Sequence, residues 1–526
     1  MADRFATMGL SLEASHTAYA ASGTFGTDSD TPYGGAGGVQ RAISELAAGD
    51  TLYVADAATP ANNRPLGTLT KWTVANGAIF APGDLMTKSP DDGSSARVAC
   101  VYGNDVYGEL IAGGITAPHT VTPDGGSTTT AVSAAAPSGW VIDGTYCAAG
   151  DGTNGPVRMR GRASDWMTPA RVYVNCSEDV DCFTMLGVTG WDIEGFTADS
   201  AADYMVNLAA TNYRCRLSRL TALLPGTQGV SDGTNLYQSL VENCTWFGCG
   251  NAGTYRISYR DSIMARCVYA NCGTGDKRAD GSIDCLYLDN ATVGARIADV
   301  GCVVKGCSFD GNGVGLTFAG PYGAAVLDSR FTNNTTAINV ESGDASEADF
   351  VLGCGFYGNG TDVDQTNGYV SVLDSVTLTG DGYVNPDEGD FSLSASAEGR
   401  RVAKVLDVPR YDEGDSGPYT MYTTTIYQAV GLTPTDTGGG PYDAPDEADV
   451  RDGVVYDDAT GTPTEGTCAV PDPSDVLFGK AVDATTGMFL VPAEKDVRYG
   501  VAYGAAQEFA GTLEGGAALS RVRLGM

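Results

Sequence analysis

The chain has 526 residues, with 71 glycines and 14 cysteines, and its formal charge is −34 at pH 7. So acidic a surface repels nucleic acid and anionic membranes, which argues against direct DNA or RNA binding. It keeps a large β assembly soluble and is compatible with a structural divalent cation, with no other cofactor expected. No run of about 18 apolar residues occurs, so no membrane span is expected. Residues 1–23 lack a basic stretch followed by an apolar one, so a secretory leader is not expected either.

Residues 1–33 are small and polar and read as an arm or docking segment. Gly34-Gly-Ala-Gly-Gly38 then leads into Val39-Gln-Arg-Ala-Ile43-Ser-Glu-Leu46, where Val39, Ile43 and Leu46 share one face of a short helix. Gly49 is a helix stop, and Asp50-Thr-Leu-Tyr-Val54 reads as a strand. Residues 55–160 are rich in Gly and Pro and include the low-complexity run 125–137. They read as early coils carrying long surface insertions, with a separate inserted subdomain as the alternative.

From Trp191 to Val363 one pattern recurs: an apolar residue, two spacers, cysteine, one spacer, an aromatic. Val241…Cys244-Thr-Trp246, Met264…Cys267-Val-Tyr269, Val304…Cys307-Ser-Phe309, Val326…Ser329-Arg-Phe331 and Val351…Cys354-Gly-Phe356 are its copies, with looser ones anchored at Phe196 and Leu220. The anchors are 24, 26, 23, 40, 22 and 25 residues apart, the mark of a solenoid. Short alternating runs broken by Gly, Asn and Asp are strand and turn signals, not helical ones. Asn312, Asn334 and Asn359 each stand three residues past an aromatic. A parallel β-helix accounts for all of this. Each coil advances about 4.8 Å, so Trp246, Tyr269, Phe309, Phe331 and Phe356 form an internal ladder, and the asparagines a second one at a turn tolerant of left-handed geometry.

Cys244/Cys249 and Cys267/Cys272 have Cys-x4-Cys spacing, which raises zinc as an alternative. The spacing repeats with the coil, however, and reads as reduced core thiols of a protein assembled in a cytoplasm. The 40-residue interval between Tyr269 and Phe309 implies about one coil plus a loop at 273–283. That loop carries Asp276, Lys277, Arg278 and Asp280 as candidate binding residues, set against the plainer reading of a solvated excursion.

Residues 396–444 hold Tyr-rich strand signals and the linker Thr437-Gly-Gly-Gly-Pro441. In 445–526 a second unit, P-x3-D-V-x2-G, starts at Pro445, Pro471 and Pro492, each copy ending in a strand signal near Gly466, Gly487 and Gly511. Units this short need completion by neighbours, which points to a homotrimer or to docking on a larger body.

Val39-Gln-Arg-Ala-Ile43 through Gly49-Asp-Thr-Leu-Tyr-Val54 resembles the opening of pectin-lyase-like right-handed parallel β-helix proteins. Later coils ending in Asn312, Asn334 and Asn359 are similar to the same superfamily, and Gly389-Asp-Phe-Ser-Leu393 to its final strand. The resemblance covers roughly 34–395 and implies an all-β fold: a right-handed solenoid with an N-terminal capping helix and a small β-rich C-terminal repeat region. The terminal repeats resemble those of phage structural proteins. The superfamily hosts lyases, hydrolases, esterases, adhesins and phage spikes, so fold alone leaves function open.

Motifs of its enzymes are missing. The polygalacturonase set (N-T-D, D-D, G-H-G, R-I-K) and the pectate-lyase R-x-P-x-x-R are absent, and Asp349-Phe-Val-Leu-Gly353 stands alone as a distant echo of pectin methylesterases. A glycosidase would need two carboxylates about 5–10 Å apart. Asp284 and Asp289, flanking Leu286 and Leu288, are the pair to test; as turn residues they need no catalytic role. Asp28/Asp30 and Glu178/Asp179/Asp181 offer oxygens to calcium without an ordering loop. The expectation is a structural virion protein of a tailed phage: a spike, fibre or head-decoration component, made in the host cytoplasm, joined to capsid or tail proteins and touching host-surface polysaccharide. The alternatives are a tailspike depolymerase and a bacterial surface adhesin.

Overall fold

The computed structural model describes most of residues 2–393, apart from 20–24, 58–64, 116, 125, 132, 134, 151–152, 177–179, 199–202, 224, 231–234, 255–261, 277–280, 299–301, 321–322, 342–348 and 387–389. Beyond 393 it describes only the strands named below. The chain is an all-β right-handed parallel β-helix of about 13 turns, with little helix.

β1 (Asp3–Thr7), α1 (Leu12–Tyr19), β2 (Tyr33–Gly34), α2 (Gly35–Glu45) and β3 (Thr51–Ala55) open the fold. The stretch read as an arm thus contains a rung: β1 pairs in parallel with β3, Phe5 opposite Tyr53. On α2, Val39, Ala42 and Ile43 are buried against the first coils. Gln40 fixes the helix to the solenoid by donating to the Val141 carbonyl at 2.9 Å and accepting from the Val141 amide at 2.7 Å. A buried side-chain amide meeting both the N–H and the C=O of one residue removes two otherwise unpaired groups at the solenoid's end.

Between β3 and the next solenoid strand, Trp140–Asp143, the chain builds a seven-stranded antiparallel sheet from Leu69–Thr73 to Ala136–Pro137. It has its own core around Trp72, Met86, Val98, Val106 and Val121. Glu109, buried in this sheet, accepts from the amides of Leu12 and Gly37 at 2.9 Å each and ties it to both helices.

The solenoid has a 21-stranded and a 10-stranded sheet. Left-handed residues kink the first sheet at Asn243, Arg266, Asp284, Gly306, Asp328 and Gly353, dividing each coil's contribution into two short strands. The ring stack runs Tyr269, Tyr287, Phe309, Phe331, Phe356, with centroids 4.6–5.4 Å apart and planes within 13°. It rests on a column of glycines (Gly253, Gly275, Gly294, Gly315) in the facing sheet, where an added Cβ would press on the rings.

Tyr287 corrects the sequence reading of the 40-residue interval. It pairs with Tyr269 on one side and Phe309 on the other, so the interval holds two coils of 18 and 22 residues, with no long excursion. The copy is disguised because Ser282 replaces the apolar residue; its hydroxyl meets the Tyr287 hydroxyl at 2.9 Å. A second correction concerns the anchors. Thr221 pairs with Thr245, so Trp246 stacks on Ala222, while Phe196 pairs with Leu220, two positions before Ala222 and just past the kink. Phe196 and Leu220 therefore hold the place that cysteine takes in later coils.

Among the described residues after the last coil, Lys404–Tyr411 and Met421–Gln428 form an antiparallel pair. Residues 440–526 are a separate unit. Its described strands are three antiparallel pairs, Val455–Asp457 with Pro463–Glu465, Ala481–Val482 with Thr485–Thr486, and Ala502–Tyr503 with Phe509–Ala510. One follows each P-x3-D-V-x2-G motif; the strand signals near Gly466, Gly487 and Gly511 lie outside the described residues.

Candidate functional site

The ladder residues are engaged in packing. In Asn290, Asn312, Asn334 and Asn359, each Oδ1 accepts the backbone amide of the residue one coil earlier, from Cys272, Asn290, Asn312 and Asn334, at 3.0–3.1 Å. Each Nδ2 donates to the carbonyl of an earlier aromatic: Tyr269, Tyr287, Phe309 and Phe331. The left-handed residue of each turn is the one before the asparagine: Asp289, Gly311, Asn333 and Gly358. The kink turns the next side chain inward, where an amide serves two backbone groups at once. Cys272 fills the same place, its Sγ 3.4 Å from the Trp246 carbonyl.

Cys244, Cys267, Cys285, Cys307, Ser329, Cys354 and Ser375 follow the other set of kinks. Cys267, Cys285, Cys307 and Cys354 donate weakly to backbone carbonyls one coil back. The Cys307 amide donates to Ser329 Oγ at 3.2 Å, and the Cys354 amide to Ser375 Oγ at 3.2 Å. The Cys-x4-Cys pairs are split between these two columns. Among the described residues no group of three or more His, Cys, Asp or Glu side chains is placed to hold a metal. Of the calcium candidates, Asp28 Oδ1 caps its own turn, accepting from the amides of Asp30 and Thr31. Asp181 accepts from Asn207 Nδ2 at 2.7 Å, and burial raises its pKa. Glu178 and Asp179 lie outside the described residues.

Asp276 is wholly buried, in register with Thr254 and Ala295 inside the solenoid, so it is no surface ligand. Lys277, Arg278 and Asp280 lie outside the described residues. Asp349, also buried, accepts the Ala324 amide at 2.7 Å.

Asp284 and Asp289 both occupy left-handed kinks, at φ 54° and 49°. Each backbone amide donates to the next coil, to Lys305 and Asp310. The Asp289 carboxylate lies over Gly311, where a Cβ would strike it, and burial raises its pKa. Its electrostatic partner is Asp310, which sequence reasoning missed because Asp310 looks like another turn residue after an aromatic. The Asp310 pKa is pushed up to about 6, chiefly by burial, with the charges of Asp289 and Asp381 adding to it. Thr332 Oγ1 at 2.5 Å and Asn333 Nδ2 at 2.9 Å donate to it and oppose the rise. The buried Arg330 guanidinium stands nearby, on the strand that carries Thr332, held by the carbonyls of Gly380 and Asp381 and by the Tyr383 ring 5.5 Å away.

A carboxyl titrating near pH 6 is chemically able to lend a proton. Its surroundings oppose that use: Asp310 is only 9% exposed, and Thr332 Oγ1, which serves it, is 3.3 Å from the Tyr383 hydroxyl. On the outward side of earlier coils, Arg160, Arg216, Arg219 and Arg266 pair with Asp192, Glu194 and Glu242 in one continuous network.

No family model matches the chain, and no curated protein matches it. Similar solved structures include Geobacillus virus E2 ORF18, with 11% identity and a TM-score of 0.34 over 63% of this chain and 76% of that one. Pectate lyase Pel9A has 9% identity and a TM-score of 0.35, over 71% of this chain and 87% of the lyase. The catalytic domain of a GH87 alpha-1,3-glucanase, solved with tetrasaccharides, has 8% identity and a TM-score of 0.26, over 58% and 88%.

Proposed function

We propose that the chain is a structural rod of a tailed-phage particle, a spike, fibre or head-decoration component whose outer faces touch host-surface polysaccharide. The observation that carries this reading is the commitment of polar groups to the scaffold. Amide, hydroxyl and thiol columns run coil to coil, and Asp310, the carboxyl that burial pushes up to about 6, is enclosed by its neighbours. Such ladders stiffen a one-dimensional fold, in which each coil is stabilised only by the next. The thirteen cysteines among the described residues are all buried free thiols, which suits folding in a reducing cytoplasm followed by release through lysis. Quantitative mass spectrometry of purified particles tests this: stoichiometric presence supports it, and recovery only from cell envelopes overturns it.

A second reading, a polysaccharide depolymerase, is favoured by one observation, the raised pKa of Asp310 beside Asp289. New reducing ends released from capsule or lipopolysaccharide, and lost in Asp310→Asn, establish it; none released leaves the structural reading in place.

A further inference from the structure

The loop between the solenoid strands Val157–Arg162 and Val172–Val174 carries a bulky residue in a conformation it resists. Trp166 has φ 62°, in the left-handed region that disfavours large side chains. The turn is over-determined. Ala163 and Thr168 close it backbone to backbone at 2.9 Å, and the Trp166 amide donates to the Ala163 carbonyl at 2.9 Å. Asp165 accepts from the amides of Met167 and Thr168 at 3.0 and 2.9 Å and from the Thr168 hydroxyl at 2.7 Å. Backbone strain held in place this firmly marks a side chain whose direction matters.

That direction is set toward the first rungs. The Trp166 ring meets Phe5 edge-on at 5.4 Å, and Phe5 lies 5.5 Å from Tyr53. The Arg162 guanidinium sits 5.1 Å over Tyr53 and also donates to the Gly161 carbonyl at 3.0 Å. Among the described residues it has no carboxylate partner, although 65 acidic residues are available in the chain and its neighbour Arg160 is paired twice. Met167, next to Trp166, is 83% exposed, far more than any other large apolar side chain described. Trp, Tyr, Phe, Met and Arg are the residue types enriched in the cores of protein–protein contacts; here Trp166, Phe5, Tyr53 and Arg162 form one chain of contacts at the first rungs, with Met167 next to Trp166 in sequence. An exposed thioether offers almost nothing to a sugar hydroxyl but packs readily into an apolar recess.

We propose that Phe5, Tyr53, Arg162, Trp166 and Met167 form the face by which the N-terminal end of the solenoid seats on another protein of the particle. That partner offers an apolar recess edged by a carboxylate, which the unpaired Arg162 completes. The inference rests on the particle reading above and adds which end attaches and through which residues.

The test is incorporation into particles assembled in cells supplying the chain unaltered, as Trp166→Gly/Met167→Ala, as Arg162→Glu or as Ile263→Ala. Copy number is read by mass spectrometry. Trp166→Gly relieves the strained φ and Met167 packs on little, so both keep the fold, checked by circular dichroism melting of each purified chain. At least tenfold fewer copies of the first two variants, with Ile263→Ala incorporated normally, is expected. Normal incorporation of the Trp166/Met167 and Arg162 variants overturns the docking face alone. Absence of the unaltered chain from particles overturns the particle reading and the docking face with it. A photo-crosslinker at position 167 that captures only a second copy of this chain also overturns the choice of partner.

Discussion

The side-chain amide of Asn312 donates to Oδ1 of Asn334, one coil on, at 2.9 Å, while the Asn312 backbone amide shares the same acceptor at 3.0 Å. Removing Asn334 therefore leaves the buried Asn312 backbone amide without this acceptor and takes one bond from the Asn312 side-chain amide, which keeps those to Tyr287 and Asp310. Asn334→Ala is expected to lower stability by about 1–3 kcal/mol, the cost of leaving a buried group unsatisfied. Asn334→Cys should lose less, because Cys272 already fills the equivalent place with its Sγ 3.4 Å from a carbonyl. Urea unfolding midpoints of the two variants check the order.

Much of this ladder was legible in the sequence and part of it was not, for a physical reason. Spacing reveals what repeats, so Asn312, Asn334 and Asn359 and the aromatics from Tyr269 onward could be aligned without coordinates. It does not reveal which of two adjacent residues takes the left-handed kink, because Gly, Asn and Asp all tolerate it. Tyr287 was hidden by Ser282, a polar residue in an apolar column. Asp310 was hidden for another reason: a carboxyl's environment depends on the coils above and below it, about twenty residues away in either direction. The Trp166 turn repeats nothing and so left no periodic signal at all.

The Ser282–Tyr287 contact is open to a double-mutant cycle. Tyr287→Phe alone leaves the wholly buried Ser282 hydroxyl without that partner and should cost about 1–3 kcal/mol. Tyr287→Phe with Ser282→Ala removes both polar groups together and should recover most of the loss. Strict additivity of the two single effects in thermal unfolding would refute the coupling.

The glycine column predicts steric failure without any unusual backbone. A Cβ at Gly294 would stand 2.5 Å from the Gly315 carbonyl oxygen and 3.0 Å from the Phe309 ring. Gly294→Ala must push the ring stack off the facing sheet and is expected to destabilise by about 1–3 kcal/mol, against the usual benefit of replacing glycine. A rise in melting temperature for this variant would show that the two sheets have more slack than the ring stack implies.

The stacked thiols should be chemically silent while the fold persists. Burial pushes Cys215 up to about 11 and Cys354 up to about 12, and raises Cys267, Cys285 and Cys307 in the same direction. Thiolate is the reactive form, so alkylation by iodoacetamide at pH 8 should be negligible in native protein and complete in urea. Rapid labelling of Cys267 or Cys285 in the native state would mean that the coils open far more readily than their ladders allow.

Asp310 sets a pH dependence whose sign follows from its burial. Its pKa is 3.8 in the unfolded chain and about 6 in the folded one, so between these values the folded state holds more protons. Stability therefore falls as pH rises through that window, by on the order of 3 kcal/mol when the window is crossed in full. The contribution is fully present below pH 3.8 and gone above about pH 6. Asp310→Asn keeps an oxygen for Thr332 and Asn333 but cannot ionise. It should flatten the pH profile between 4 and 6 and leave the variant more stable than the unaltered chain at pH 8. An unchanged pH profile in Asp310→Asn would place the titrating group elsewhere. It would also remove the one observation that favours a cutting activity at this corner of the solenoid.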